Sequence, residues 1–189
     1  MIDSLRSLLK EQIKDLYSAE NQLIKALPKM AKAASNDSLR EAFEGHLEET
    51  MQQVERLAEI AGMLEISPRG KKCHGMEGLL EEGKEAMEEE GEDASLDAGL
   101  IAAAQKVEHY EISAYTSACA LAKRLDESEI ATLLQETLDE EIAADEKLTG
   151  ISQEEILPAA STDDEEAESS SSTVRSKKKT VGRRALASK

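Results

Sequence analysis

Apolar residues return at helical spacing in five stretches of this chain. The first, from about Ile2 to Ala34, carries Leu5, Leu9, Leu16, Leu23, Leu27 and Met30. Ser35-Asn36-Asp37-Ser38 then reads as a turn followed by an N-cap. A second stretch, Ser38 to Leu64, puts Leu39, Phe43, Leu57, Ile60 and Leu64 on one face and ends before Ser67-Pro68-Arg69-Gly70. A shorter acidic stretch, about Met76 to Glu90, has Met76, Leu79, Leu80 and Met87 as its stripe. Gly91 and Asp93 to Ser95 interrupt the pattern before an Ala-rich stretch from about Leu96 to Leu125. Asp126 is expected to cap the last one, Glu127 to Thr149, which carries Ile130, Leu133, Leu134, Leu138 and Leu148. Pro28 falls inside the first stretch and is placed to kink it.

Four of these stretches are long, and they pair into two hairpins with very short turns, so each hairpin is antiparallel. Between the hairpins lies a segment holding the short helix, long enough to travel the length of a bundle. Two hairpins joined by one long crossover is the ferritin-like connectivity. The predicted fold class is therefore all-α: a ferritin-like antiparallel four-helix bundle with a short crossover helix. The bundle is expected to occupy residues 1–150, and residues 151–189 to form a disordered tail. That tail is acidic and Ser-rich first, then basic, and from Ala159 on it has almost no apolar residues to offset its ordering entropy.

Composition agrees with helices. Aromatic residues are 2% of the chain, one Phe and three Tyr, so the core must be built from Leu, Ile, Ala, Val and Met. Met51, Met63, Met76 and Met87 read as core filling. The net charge is −17, yet residues 159–189 carry +2, which leaves about −19 on the body. Such a body repels nucleic acid and anionic membranes and attracts cations, although a solvated acidic surface explains much of it. The basic run SKKKTVGRR is a weak basis for DNA binding beside that charge. Cys73 and Cys119 fall in no CxxC or zinc spacing. The N-terminus has no apolar signal core, and no run approaches the roughly 18 apolar residues of a membrane span, so a cytoplasmic location is expected.

The candidate chemistry lies in the polar residues that fall on the apolar lines. At about 100° per residue, Glu20 sits at the edge of the first core line, and His46 close to the second with Glu49 at its flank. Glu111 lies on the third line and Glu108 at its edge, whereas His109 points outward. Glu141 and Asp145 both fall within the fourth. Counted from the two hairpin turns at about 1.5 Å per residue, Glu20, His46, Glu49, Glu111 and Glu141 share a layer about 8 Å thick. Singly, the edge glutamates could pair with surface Lys or Arg and His46 could be a satisfied core histidine. Together, buried carboxylates repel one another unless they are protonated or surround a cation. Glutamates from separate helices with a Glu/His pair one turn apart form the ligand set of di-iron and di-manganese bundles, and carboxylates with imidazole suit Fe or Mn.

The runs DLYSAENQLIKALPKMAKA, FEGHLEET, CHGMEGLLEEG, LIAAAQKVEHYEISAY and LLQETLDEEIAADEKL resemble the YciE/YciF family of ferritin-like, stress-associated proteins over nearly all of residues 1–150. The resemblance implies a rubrerythrin-like or manganese-catalase-like bundle, a homodimer and a ferroxidase activity. The second helix reads His46-x-x-Glu49 where di-iron bundles have Glu-x-x-His, and the fourth has Asp145 where a second His is usual.

The expected function is thus a non-haem dinuclear iron or manganese protein acting on Fe(II), O2 or peroxide in a stress response. Glu20, Glu49, Glu111 and Glu141 would ligate, His46 would supply nitrogen, and Glu108 and Asp145 would be inner or outer carboxylates. Tyr17 and Tyr115, near the same layer, either pack or relay electrons. The rival reading is a non-enzymatic dimeric stress protein whose acids bind metal weakly or not at all.

Overall fold

The computed structural model describes residues 2–161 and contains five helices in that span: α1 (Leu5–Ala33), α2 (Asp37–Met63), α3 (His74–Glu88), α4 (Asp93–Arg124) and α5 (Ser128–Ile151). α1 starts at a capping box in which Ser4 and Ser7 satisfy each other's end of the first turn, and α2 starts at Asn36, whose side chain accepts from the Leu39 N–H. Pro28 is exposed and α1 runs through it as one helix. Asp126 does not cap α5. It takes φ 59°, and Glu127 stands at the cap position without a side-chain bond. Reversing the chain so sharply needs one left-handed residue, a conformation that Asp tolerates better than most.

α1 packs on α2 and α4 on α5, and contacts α2–α5 and α1–α4 close the four-helix ring. Two apolar clusters fill it. One joins Leu23, Leu27 and Met30 with Leu39 and Phe43, Leu100 to Val107, and Leu148. The other joins Leu9, Ile13 and Leu16 with Leu57 and Ile60, Tyr115 to Ala122, and Ile130 to Leu138. The first holds the α1–α2 turn and the second the α4–α5 turn, so the two hairpins turn at opposite ends. α3 must therefore carry the chain back along the bundle, as ferritin-like connectivity requires.

The crossover is lashed down at Cys73, one of two free, buried cysteines. Its backbone N–H donates to Ser18 Oγ at 2.9 Å, and its carbonyl accepts from Gln22 at 3.0 Å. Its thiol and the Tyr110 hydroxyl both donate to Asp15 Oδ2, at 3.1 and 2.7 Å, while Lys71 reaches Asp15 Oδ1 at 3.2 Å. Burial raises the Asp15 pKa, but these donors outweigh it and hold the carboxylate below its ordinary value. A Cβ at Gly75 would stand 2.8 Å from the Tyr110 ring, so a larger residue there would push this ring from its place on the crossover.

The chain does not leave the bundle at residue 150. A π-helical turn, Ser152–Ile156, and helical residues 157–161 continue α5. Ile151 and Ile156 are buried against the first apolar cluster, which accounts for the extension past the expected boundary. The remainder of the tail lies outside the described residues. No helix among the described residues is long and apolar enough to cross a membrane.

Asp97, buried in α4, accepts the backbone N–H groups of Ser35 at 2.9 Å and Asn36 at 2.8 Å and so ties the first hairpin turn to the second hairpin. Hydrogen bonds to a charged acceptor contribute about 1.5–3 kcal/mol. Asp97→Ala is expected to lower stability by roughly 2 kcal/mol, read as a melting temperature lower by about 4–8 °C in a scanning calorimeter.

Candidate metal centre

Between the two apolar clusters the bundle has a polar layer contributed by all four long helices. α2 provides His46, Thr50 and Gln53 in the gap between Phe43 and Leu57, and all three are buried. α1 adds Glu20, α4 adds Glu108 and Glu111, and α5 adds Thr137 and Glu141, all of them buried. One ligand atom from each of His46, Glu108, Glu111 and Glu141 lies within 4.8 Å of the others. His46 Nε2 is 3.5 Å from Glu108 Oε1 and 3.7 Å from Glu141 Oε2. Metal–ligand bonds of about 2.0–2.2 Å place opposing ligand atoms about 4.4 Å apart at most. Small side-chain movements would bring these four donors onto one ion.

The seven sequence-predicted residues separate into two groups. Glu20, His46, Glu108, Glu111 and Glu141 meet in the layer, and Glu20 is fully buried where an edge position was expected, because α4 covers that side of α1. Glu49 does not enter. Its side chain is 53% exposed, and it faces His46 Nδ1 at 3.4 Å, which leaves Nε2 to point inward. This is the usual way that a carboxylate sets the orientation of a ligand imidazole. Asp145 also turns away: it accepts from Gln105 at 3.0 Å and faces the outward His109 at 3.3 Å. Four residues along a helix rotate a side chain about 40° past the first, which carries Asp145 from Glu141's face to the α4 seam.

Tyr115 is the contributor that sequence reasoning undervalued. Fully buried, it donates its hydroxyl to Glu20 Oε1 at 2.5 Å. Its position one turn beyond Glu111 was the available signal. Across the α2–α5 seam, Arg56 donates to both oxygens of Glu140 and to Thr137, at 2.6–2.9 Å, and Gln53 donates to Glu140 at 3.1 Å. Tyr17 is only half-buried.

The electrostatics follow from burial. Desolvation pushes Glu20 up to about 7, with the Tyr115 hydrogen bond and His46 opposing it. Burial, followed by repulsion from the neighbouring carboxylates, takes Glu111 and Glu141 well above the ordinary range. Glu108 rises by burial against the pull of His46. Burial disfavours the imidazolium of His46, but Glu108 and the Glu49 hydrogen bond outweigh it and raise its pKa. Many of the carboxylate oxygens face only one another. They hydrogen bond only when a carboxyl takes up a proton, which lets Glu111 pair with Glu20 and Glu108 with Glu141.

This bundle and its buried acid–histidine layer define a ferritin-like helical protein. The chain belongs to the family described as a domain of unknown function, DUF892, whose model matches residues 4–161. It is 48% identical over 141 residues to the protein YciF of Escherichia coli (strain K12), covering 74% of this chain and 85% of YciF. The crystal structure of that E. coli stress protein superposes with a TM-score of 0.77 at 44% identity, over 79% of this chain and 95% of YciF. A ferritin-like, diiron-carboxylate protein from Bacillus anthracis superposes with a TM-score of 0.62 at 18% identity, over 79% of this chain and 99% of the other, and supports the fold.

In the metal-free protein these carboxyls bind protons more tightly folded than unfolded. Their stabilisation is complete below the ordinary value of 4.5 and is lost as pH rises through the folded values, Glu20's being about 7. Chelator-treated protein is therefore expected to melt highest near pH 4.5–5 and progressively lower toward pH 8, measured by circular dichroism. A melting temperature that is flat or rises over that range would contradict the burial of ionisable carboxyls.

Proposed function

We propose that the chain is a non-haem metalloprotein that holds a pair of iron or manganese ions in this layer and uses them to reduce O2 or peroxide as part of a stress response. One observation carries the reading. Among the described residues, eight buried side-chain nitrogen and oxygen atoms have no hydrogen-bond partner, and seven of them belong to Glu20, His46, Glu108, Glu111 and Glu141. Native interiors leave few such atoms unpaired, and each calls for an explanation. A multivalent cation satisfies them together, and hard carboxylates with one imidazole select Fe or Mn.

When bound, a reduced metal pair supplies the two electrons that the reduction of O2 to peroxide, or of peroxide to water, consumes. The protein does the rest. His46, Glu108, Glu111 and Glu141 would hold the first ion, and Glu20 beside Glu111 would extend the set toward a second. Tyr115 fixes one oxygen of Glu20 and leaves Oε2 free for the metal. Glu49 orients His46 from outside. Among the described residues four converge closely, so a single tightly held ion, or none, is the arrangement that a non-enzymatic stress protein would keep.

Elemental analysis after loading with Fe(II) or Mn(II) decides between them, and two ions per chain are expected. Glu141→Gln keeps size and hydrogen bonding but removes a ligand charge. It should weaken metal binding by more than the roughly 10–100-fold that loss of an outer partner costs. The metal-free variant should melt above the parent at pH 7 and level with it near pH 4, because it no longer resists ionisation. Unchanged metal content in Glu141→Gln, or no metal in the parent, would overturn the proposal.

A further inference from the structure

A pocket of about 380 Å³ opens between α2 and α5 and reaches the layer at His46 and Glu108. Its walls are Ala42, Phe43, Gly45, Ala143, Ala144 and Leu148, apolar and mostly small. His46 and Glu108 form its floor, and behind them His46 Nε2 and Glu108 Oε2 are buried without a hydrogen-bond partner. Its rim carries Glu49 and Asp139 with Lys147, and Glu140, which Arg56 pairs. O2 or H2O2 needs little more than the roughly 30 Å³ of one water molecule, whereas pockets of 300 Å³ and above suit small organic ligands. An oxidant of one or two heavy atoms does not account for an apolar chamber about ten times its size.

Resting on the metal reading above, we propose that this pocket binds an uncharged organic hydroperoxide. The apolar body lies against the Phe43 and Ala143–Ala144 walls, and the –OOH head points to the floor, beside the ions that His46 and Glu108 would hold. Glu49 and Asp139 outnumber Lys147 at the rim and disfavour carboxylates of the same shape. The reaction at the head is ROOH + 2 Fe(II) + 2 H+ → ROH + H2O + 2 Fe(III). The O–O bond breaks, two ferrous ions give one electron each, and the protons end on the alcohol and water. The small wall residues are what keep the chamber open: a Cβ built on Gly45 meets nothing within 4 Å.

The test has two arms. In the first, metal-free protein with 13C-labelled alanine methyls is titrated with 2-phenyl-2-propanol, the unreactive alcohol of cumene hydroperoxide, and separately with 3-phenylpropanoate. The alcohol should shift the Ala42, Ala143 and Ala144 methyls and the carboxylate should not. Ala143→Leu and Gly45→Leu, two independent fillings of the chamber, should abolish the shifts. In the second arm, Fe(II)-loaded protein is oxidised with cumene hydroperoxide or H2O2, and each variant should lower the ratio of the two rates by roughly tenfold or more. No shift with the alcohol, equal shifts with the carboxylate, or an unchanged rate ratio would overturn the proposal. So would shifts that follow protein concentration instead of the probe, which would assign the groove to a second copy of the chain. Protein that takes up iron but not the alcohol refutes the pocket alone. Protein that binds the alcohol but no iron supports the pocket and refutes the metal reading.

Discussion

Carboxyl groups taken out of water in the middle of a helical bundle must be neutralised, and this protein places four of them beside one imidazole at a single level. Each would lose several kcal/mol if left charged and unpaired, and their mutual repulsion adds to the cost. Protons meet the demand partly, by letting Glu111 pair with Glu20 and Glu108 with Glu141. A pair of divalent cations would meet it more fully, by sharing the free oxygens and the His46 nitrogen between them. The same constraint ties stability to pH and metal, since whatever neutralises the layer also stabilises the fold.

The rest of the molecule is arranged around that layer. Apolar clusters seal it at both ends, and the opposed hairpin turns place it near the middle of every long helix. The second row of polar groups is asymmetric. Tyr115 grips Glu20 from inside, whereas Glu49 steers His46 from the solvent side, where the pocket opens. The Arg56–Glu140 pair, with Gln53 and Thr137, fastens α2 to α5 next to that opening. Access and rigidity thus share one helix seam, and its neighbouring positions, Gly45, Ala143 and Ala144, carry almost no side chain.

The helices were legible because their stripes are long and their turns short, which settles the pairing within each hairpin. The level of the site was legible for a related reason. Glu111 and Glu141 interrupt apolar lines at matched distances from a turn, and a helix converts residue counts directly into height. Direction around a helix is less secure. Asp145 lies one turn from Glu141 and Glu49 one turn from His46, yet the rotation of each, and partners on other helices, turn both outward. The Tyr115–Glu20 bond, the Asp97 tie and the Cys73–Tyr110–Asp15 knot each join residues more than 35 positions apart or on different elements, and local periodicity carries no record of such pairs. The helical residues past Thr149 are hard to read because Ile151 and Ile156 are sparse signals in a polar stretch, and it is their burial that extends the helix.

Anomalous diffraction from crystals soaked in Fe(II) or Mn(II) would reveal whether the layer is built around a cation. A layer built for metal gives a peak at that metal's absorption edge within about 2.2 Å of His46 Nε2 and oxygens of Glu108, Glu111 and Glu141, with a second beside Glu20. Carboxyls paired with one another, and peaks confined to surface acids or absent, would contradict a cation-built layer.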